Sequence, residues 1–462
     1  MNMTLFQKRL TTAYLLLFTL YSLATRFTVT AAFMDGSINN TLYRLLLITG
    51  CLLALWQFVS VRKRLRSWDT GLLLLFLILL CIGIFLNRDY GLFDNIYGLF
   101  TFGFQLVLFY YLSHIMTEAD FTWLFKRLIL LGSFLWNIAC IGSIAQYLFN
   151  IHYIGKYTAD RGFVRQGITD GRLFGLFTDP NFAAFTSLLL IFGLWHVLCR
   201  TALRLIRLYA YASIVIHSIY IVMSNSRTVY LSVVGSVLFF VLFRFYKEKQ
   251  DTYTTASSMA GHLFIRGLCT LLCLAAVYCI ILFSLQGVAR LIVPDRDTAT
   301  EMMRDDIDGE NISNNRFAIW SAYMELYTEK PVFGFSLRSA LPYATEKNPE
   351  GYLAQTQYVT HNSYISLLVE TGITGFLVMA VFLLALFVRV IKRSRSKEPV
   401  SDTYVLATVW ILSILIFCLC FHDIFFTMNL ETFLFWWGLG YLRKESGAFG
   451  SSNNQEKAPD SH

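Results

Sequence analysis

The chain has 462 residues, of which 56% are hydrophobic, 16% aromatic and only 15% charged. Soluble domains run nearer a quarter charged, so this composition excludes an ordinary soluble globule and describes an integral membrane protein. The net charge of +8 does not indicate nucleic acid, because the basic residues flank apolar segments and share no face; membrane topology accounts for them better.

Stretches of about 17–25 apolar residues suffice to cross a bilayer. In chain order they fall at 13–33, 41–61, 71–86, 92–112, 128–149 and 181–199. They continue at 208–223, 228–245, 266–285, 363–390, 403–421 and 425–442. About twelve spans are therefore expected, and the scarcity of proline (7) and glycine (28) favours helices over the short alternating strands of a barrel. The first stretch ends in Thr30-Ala31-Ala32, faintly like a cleavage site, but it is too long for a signal segment and reads as an uncleaved span. The pair around Ser224-Asn225-Ser226-Arg227 could instead be one re-entrant unit.

Charge orients the spans. Lys8-Arg9, Arg62-Lys63-Arg64-Arg66, Lys126-Arg127, Arg200/Arg204/Arg207 and Lys247/Lys249 fall at every second connection, and Lys392-Arg393-Arg395-Lys397 and Arg443-Lys444 continue the series. With both termini cytoplasmic, all seven clusters lie inside. The outer side then receives 152–179, the Ser224–Arg227 break, the loop 286–360 and the turn at His422-Asp423. Its positive charges are mostly arginines, Arg161, Arg165, Arg172, Arg227, Arg290, Arg296, Arg304, Arg316 and Arg338, against Lys156, Lys330 and Lys347. A guanidinium grips phosphate oxygens in a bidentate fashion and stays charged near lipid, so arginines placed against the inside bias suit an anionic ligand.

The loop 286–360 is the one sizeable polar excursion. Within it Asn314-Asn315 can cap a helix starting at Arg316, with Phe317, Trp320, Met324 and Tyr327 on one face and Pro331 and Gly334 ending it. Such a helix would lie on the outer bilayer surface or cap the bundle. The loop re-enters the membrane through Thr360-His361-Asn362-Ser363-Tyr364. The tail after Lys444 is small and polar and reads as disordered. There is no internal repeat and no Gly-rich phosphate loop. All nine cysteines lie in apolar stretches, which favours packing over disulfides or a metal cage.

Four constellations could carry chemistry. His361-Asn362 places an imidazole at the aqueous rim, where it can take a proton from an attacking hydroxyl, although a helix-capping Asn beside a surface His would read the same. Arg227 begins an apolar helix from outside, where it either snorkels or holds a ligand. Arg316 sits beside Trp320 in a first helical turn, a mildly unfavourable place for a cation. The stretch from Gly171 to Asn181 turns into the sixth span and carries Arg172 on the external approach. Two further features compete. Asp306-Ile307-Asp308 has metal-binding spacing but lies in a generally acidic run without the glycine of a calcium loop, and so reads as solvated. Glu370 lies nine residues after His361, roughly 13 Å along at 1.5 Å per residue, hydrogen-bonded within the bundle or part of a reaction.

Taken in order, Arg172-x-x-Gly175-x-x-x-Asp179-Pro180-Asn181, Ser226-Arg227-Thr228, Asn315-Arg316-x-x-x-Trp320, Lys330-Pro331-x-x-Gly334 and His361-Asn362-x-Tyr364-x-x-x-x-x-Glu370-x-Gly372-x-x-Gly375 resemble the O-antigen polymerase and O-antigen ligase superfamily of bacterial envelope glycosyltransferases. The resemblance covers roughly 172–375. It implies an all-α polytopic fold of about twelve helices with one large external loop. The implied divisions are 1–180, a catalytic region 181–375 containing the loop 286–360, helices in 376–443 and a cytoplasmic tail 444–462. It further implies a multi-pass protein of the bacterial cytoplasmic (inner) membrane that uses a polyprenyl-diphosphate-linked oligosaccharide and no metal or other cofactor. Membrane lipid and other polysaccharide assembly proteins are the remaining implied partners, with no nucleic acid. Carried over residue by residue, Arg227 and Arg316 would hold the donor diphosphate and His361 would serve as base or orient the acceptor hydroxyl. Arg172, Asn181, Asn362 and Tyr364 would contribute substrate contacts. Polymerisation of repeat units is the leading expectation. Ligation of a finished glycan, transport of lipid-linked sugars and a binding module for an assembly complex are the alternatives. Against transport, the two halves of the chain look unlike and the polar residues gather at one surface.

Overall fold

The computed structural model describes residues 4–33, 36–61, 68–156, 163–169, 171–252, 256–294, 315–421 and 424–455. The acidic run with Asp306 and Asp308, the turn at His422-Asp423 and the end of the tail lie outside the described residues. Among the described residues nine helices are long and apolar enough to cross a membrane, and Asp402–Phe417 is a shorter apolar helix. The expected spans at 13–33 and 425–442 correspond to Leu5–Ala24 and Leu430–Gln455, the first starting earlier and the second running further. The chain is an all-α polytopic membrane protein.

Packing follows the rules of a lipid-bathed bundle, where hydrocarbon outside removes any hydrophobic advantage of burial and close contact and hydrogen bonds decide. Helices Glu118–Leu148 and Arg204–Met223 meet along a polar seam: Ser133 and Tyr209 hydroxyls lie 2.8 Å apart, and Asn137 Nδ2 donates to Ser213 Oγ at 2.7 Å. Trp136, Trp410, Trp436 and Trp437 are fully buried. Three of them donate their indole N–H to backbone carbonyls, Trp410 to Leu189 and Trp436 to Phe425, both at 2.9 Å, and Trp136 to Ala183 at 3.3 Å. Outward faces are apolar, as at Leu205 and Leu291. The helix Ala256–Ile292 is the extreme case: its apolar window buries nothing inside the protein.

Ion pairs gather many of the basic clusters at one end of the bundle. Lys8 pairs with Asp120, Arg443 with Asp69, Arg244 with Asp402 at 3.0 Å and Arg393 with Glu398 at 3.1 Å.

The opposite end carries two structures that the hydropathy pattern does not announce. Residues Tyr153–Lys156, Phe163–Thr169 and Arg172–Gly175 form a three-stranded antiparallel sheet in chain order, with Ile154 opposite Arg165 and Thr169 opposite Arg172. The helix Ser363–Arg395 is broken at Gly372, whose φ of 63° and ψ of −176° are open to glycine alone. The break frees backbone groups that a helix would consume, and the loop after Lys330 takes them up. Phe335 N–H donates to Val369 O at 3.0 Å and Ser336 N–H to Glu370 O at 2.7 Å, while Ile373 N–H donates to Pro331 O at 2.8 Å. Non-helical backbone is tolerated near membrane depth only when so paired.

The helix expected in the loop 286–360 forms as Arg316–Tyr327. Its buried face is Ile319, Tyr323 and Leu326, however, not the expected stripe; Phe317 and Met324 are exposed. Asn315 occupies the cap position in a left-handed conformation without a side-chain capping bond.

Candidate functional site

Three corners meet at the end of the bundle opposite the basic clusters. The first is the hairpin and the turn that follows it. Pro180 opens helix Pro180–Arg200, where a missing N–H and fixed φ cost nothing. Asp179 caps it, accepting from Asn181 N at 2.7 Å and Phe182 N at 3.0 Å. Arg172 then donates through Nη2 to Asn181 Oδ1 at 2.5 Å and through Nε to Ser224 O at 3.4 Å. The second corner is the turn Ser224-Asn225-Ser226, locked to the first because Ser226 Oγ donates to Asn181 Oδ1 at 2.7 Å and Asn225 Nδ2 to Gly171 O at 3.1 Å. That turn delivers Arg227 as the first residue of helix Arg227–Lys249.

The third corner is the helix Arg316–Tyr327 and the segment leading into helix Ser363–Arg395. Trp320 Nε1 donates to Thr360 O at 2.9 Å and Tyr323 OH to Tyr358 O at 3.0 Å, so the helix bearing Arg316 is tied directly to the strip bearing His361. His361 has φ 47°, a left-handed conformation uncommon for a residue with a side chain and frequent at functional sites.

Between these corners lies a cavity of about 580 Å³, lined by Arg165, Arg172, Asn181, Arg227, Arg316 and His361 among others. Four guanidiniums and an imidazole, drawn from widely separated parts of the chain, share it. The helices beginning at Pro180, Arg227 and Arg316 also present their first residues to it, and helix N-termini attract anions through their dipoles and unsatisfied N–H groups. Aromatic walls complete it: Arg316 Cζ lies 5.9 Å from the Phe421 ring centroid, and Arg165 and Arg172 lie 5.6 and 5.9 Å from that of Phe174. Burial, followed by the positive charge of Arg316, holds the His361 imidazole below its ordinary pKa, with Asp179 opposing weakly. A neutral ring is free to accept a proton, and the same burial and positive charge that keep it neutral weaken it as a base.

The other two sequence candidates are placed elsewhere. Asn362 caps helix Ser363–Arg395, accepting from Tyr364 N at 2.9 Å and Ile365 N at 3.1 Å. Tyr364 OH donates to Leu415 O at 2.8 Å. Neither lines the cavity. Glu370 is buried, with Ser366 Oγ 3.5 Å from its Oε1, and lines a second, smaller cleft. Sequence reasoning did not single out Arg165, Phe174, Tyr358 or Phe421. For Arg165 the missed signal was the β-branched residues Val164, Ile168 and Thr169, a strand cue in a segment read as an outer connection.

The cavity draws on both sides of a boundary at residue 212, since the family model described as O-Antigen ligase matches residues 212–380. Arg227, Arg316 and His361 fall inside that match, while Arg165, Arg172 and Asn181 precede it. No curated protein matches the chain. The match supports the chain's membership of the O-antigen ligase and polymerase superfamily and, at the level of that family, a membrane polysaccharide ligase or polymerase.

Proposed function

We propose that the protein transfers a glycan from a polyprenyl-diphosphate donor to a sugar hydroxyl, polymerising cell-surface polysaccharide repeat units without a metal ion. The observation that carries this reading is the convergence of Arg172, Arg227, Arg316 and His361 on one cavity. In the reaction the acceptor hydroxyl oxygen attacks the anomeric carbon and gives its proton to the neutral His361. The bond from that carbon to the diphosphate oxygen breaks, and the electron pair leaves with polyprenyl diphosphate. Negative charge grows on the leaving oxygen, and fixed guanidiniums and helix N-termini stabilise it in place of a cation. Arg227 and Arg316 hold the diphosphate in this scheme, and Arg172 positions Asn181 and the turn before Arg227. The gathering of basic clusters at the far end supports an outward-facing site in a bacterial inner membrane with cytoplasmic termini.

A second reading, transfer of a finished glycan to a lipid or cell-wall acceptor, is favoured by the description of the matched family. Donor chemistry is common to both. Deleting the gene and analysing the glycan separates them. Single repeats on the final acceptor indicate a polymerase, and long chains stranded on polyprenyl diphosphate indicate a ligase. Unchanged glycan would refute both.

A further inference from the structure

Segment 358–361 is a thin wall between two cavities. Tyr358 and His361 line the large one, whereas Val359 and Thr360 line a smaller cleft of about 90 Å³. On the floor of the cleft lies Glu370, only 6% exposed. Ser366 Oγ is 3.5 Å from its Oε1 and 3.0 Å from Thr360 Oγ1, so carboxylate and hydroxyls form one connected group. Arg338 is exposed at the rim, with its backbone N–H fixed by Asn95 Oδ1 at 2.8 Å. Tyr323 and Leu341 supply apolar surface.

A carboxylate, a guanidinium and two hydroxyls over an aromatic and aliphatic wall match the chemistry of a pyranose ring, which offers paired hydroxyls on its edge and C–H groups on its face. A diphosphate would meet repulsion from the carboxylate floor, and an acyl chain would press hydrocarbon onto that same carboxylate. The geometry points to this cleft as an acceptor subsite, taking a neutral sugar ring of an acceptor glycan whose reactive end reaches His361 on the other side of segment 358–361. The assignment rests on the transfer reading of the large cavity.

The test uses the full-length protein in lipid nanodiscs. The probe is a tritiated single-repeat oligosaccharide cut by mild acid from the host's own surface polysaccharide. Equilibrium binding is measured for wild type and for Arg338→Ala, Leu341→Trp and Glu370→Gln, beside transfer from lipid-linked donor to the same oligosaccharide. Arg338→Ala removes an exposed side chain and leaves the backbone bond to Asn95 in place. The expected result is binding weakened about tenfold or more, with acceptor KM raised in parallel and kcat within about twofold. Absence of binding by wild type at millimolar oligosaccharide overturns the subsite. Variants that bind and transfer with wild-type constants overturn it too, while leaving the transfer reading intact. Binding lost in the variants, with no transfer by wild type, leaves a sugar-binding cleft but overturns the transfer reading and with it the acceptor role.

Discussion

Gly372→Ala should destabilise the protein far more than a single methyl in a membrane helix ordinarily does. At φ 63° and ψ −176° an alanine is strained by roughly 1–3 kcal/mol. Its Cβ would also sit 2.3 Å from Val332 O and 2.6 Å from Phe333 N, which are backbone atoms that cannot swing aside. Relief requires moving the loop after Lys330, which holds four backbone hydrogen bonds to the broken helix, from Phe335, Ser336, Ile373 and Thr374. At about 0.5–1.5 kcal/mol net each, their loss brings the whole cost to roughly 3–9 kcal/mol. The assay is thermal unfolding in detergent followed by tryptophan fluorescence, with Trp136, Trp410, Trp436 and Trp437 as buried reporters. Gly267→Ala is the control. It lies in the lipid-facing helix with nothing within 4 Å of its new methyl, and should hold or raise the midpoint because alanine is the better helix former. Equal midpoints for the two variants would mean that the break at Gly372 is not part of the folded protein, and the coupling of loop to helix would fall with it.

Arg227→Ala, Arg316→Ala and His361→Ala should insert normally yet lose about a hundredfold or more in transfer from lipid-linked donor, with Arg227→Lys recovering little because an ammonium lacks the fork; wild-type rates in all three refute the site. Because His361 must be neutral to accept a proton and its pKa lies below the usual value of about 6.5, activity should persist through pH 6.5 and fall only under it. Arg316→Gln removes a charge that lowers that pKa, so the acidic limb of its residual activity should move to higher pH; a limb that stays in place separates the two residues. Asn362→Ala strips two cap bonds from helix Ser363–Arg395 and should cost about 0.5–2 kcal/mol in unfolding experiments. Transfer should survive chelation by EDTA; loss restored by a divalent ion would bring Asp306 and Asp308 back into consideration.

Hydropathy made the membrane helices legible, because about twenty consecutive apolar residues have few other uses. The arginines Arg172, Arg227 and Arg316 stood out for a related reason, since they lie against the expected charge bias. Their meeting point was not legible from spacing. It depends on Asn181 bridging Arg172 and Ser226, and on Trp320 reaching Thr360, contacts between residues 9 to 45 positions apart. The face of helix Arg316–Tyr327 was misread for a physical reason. Beside a bilayer an apolar stripe can face lipid or protein, and hydrophobicity alone does not distinguish the two. The break at Gly372 left no mark either, because glycine is ordinary in membrane helices. Its reason is the loop that closes upon it.

The helix Ala256–Ile292 shows what solvent means for this molecule. Thirty-seven residues rise about 55 Å, against a hydrocarbon slab of roughly 30 Å, and they rest on the bundle along one flank only. Trading leucine for valine or phenylalanine there creates neither void nor clash, because acyl chains flow into whatever shape is offered. Placing one charge midway meets a penalty of about 2.5–3.5 kcal/mol on insertion scales. Side-chain bulk on this helix is thus free to drift, while its oiliness is held fixed by the lipid that surrounds it.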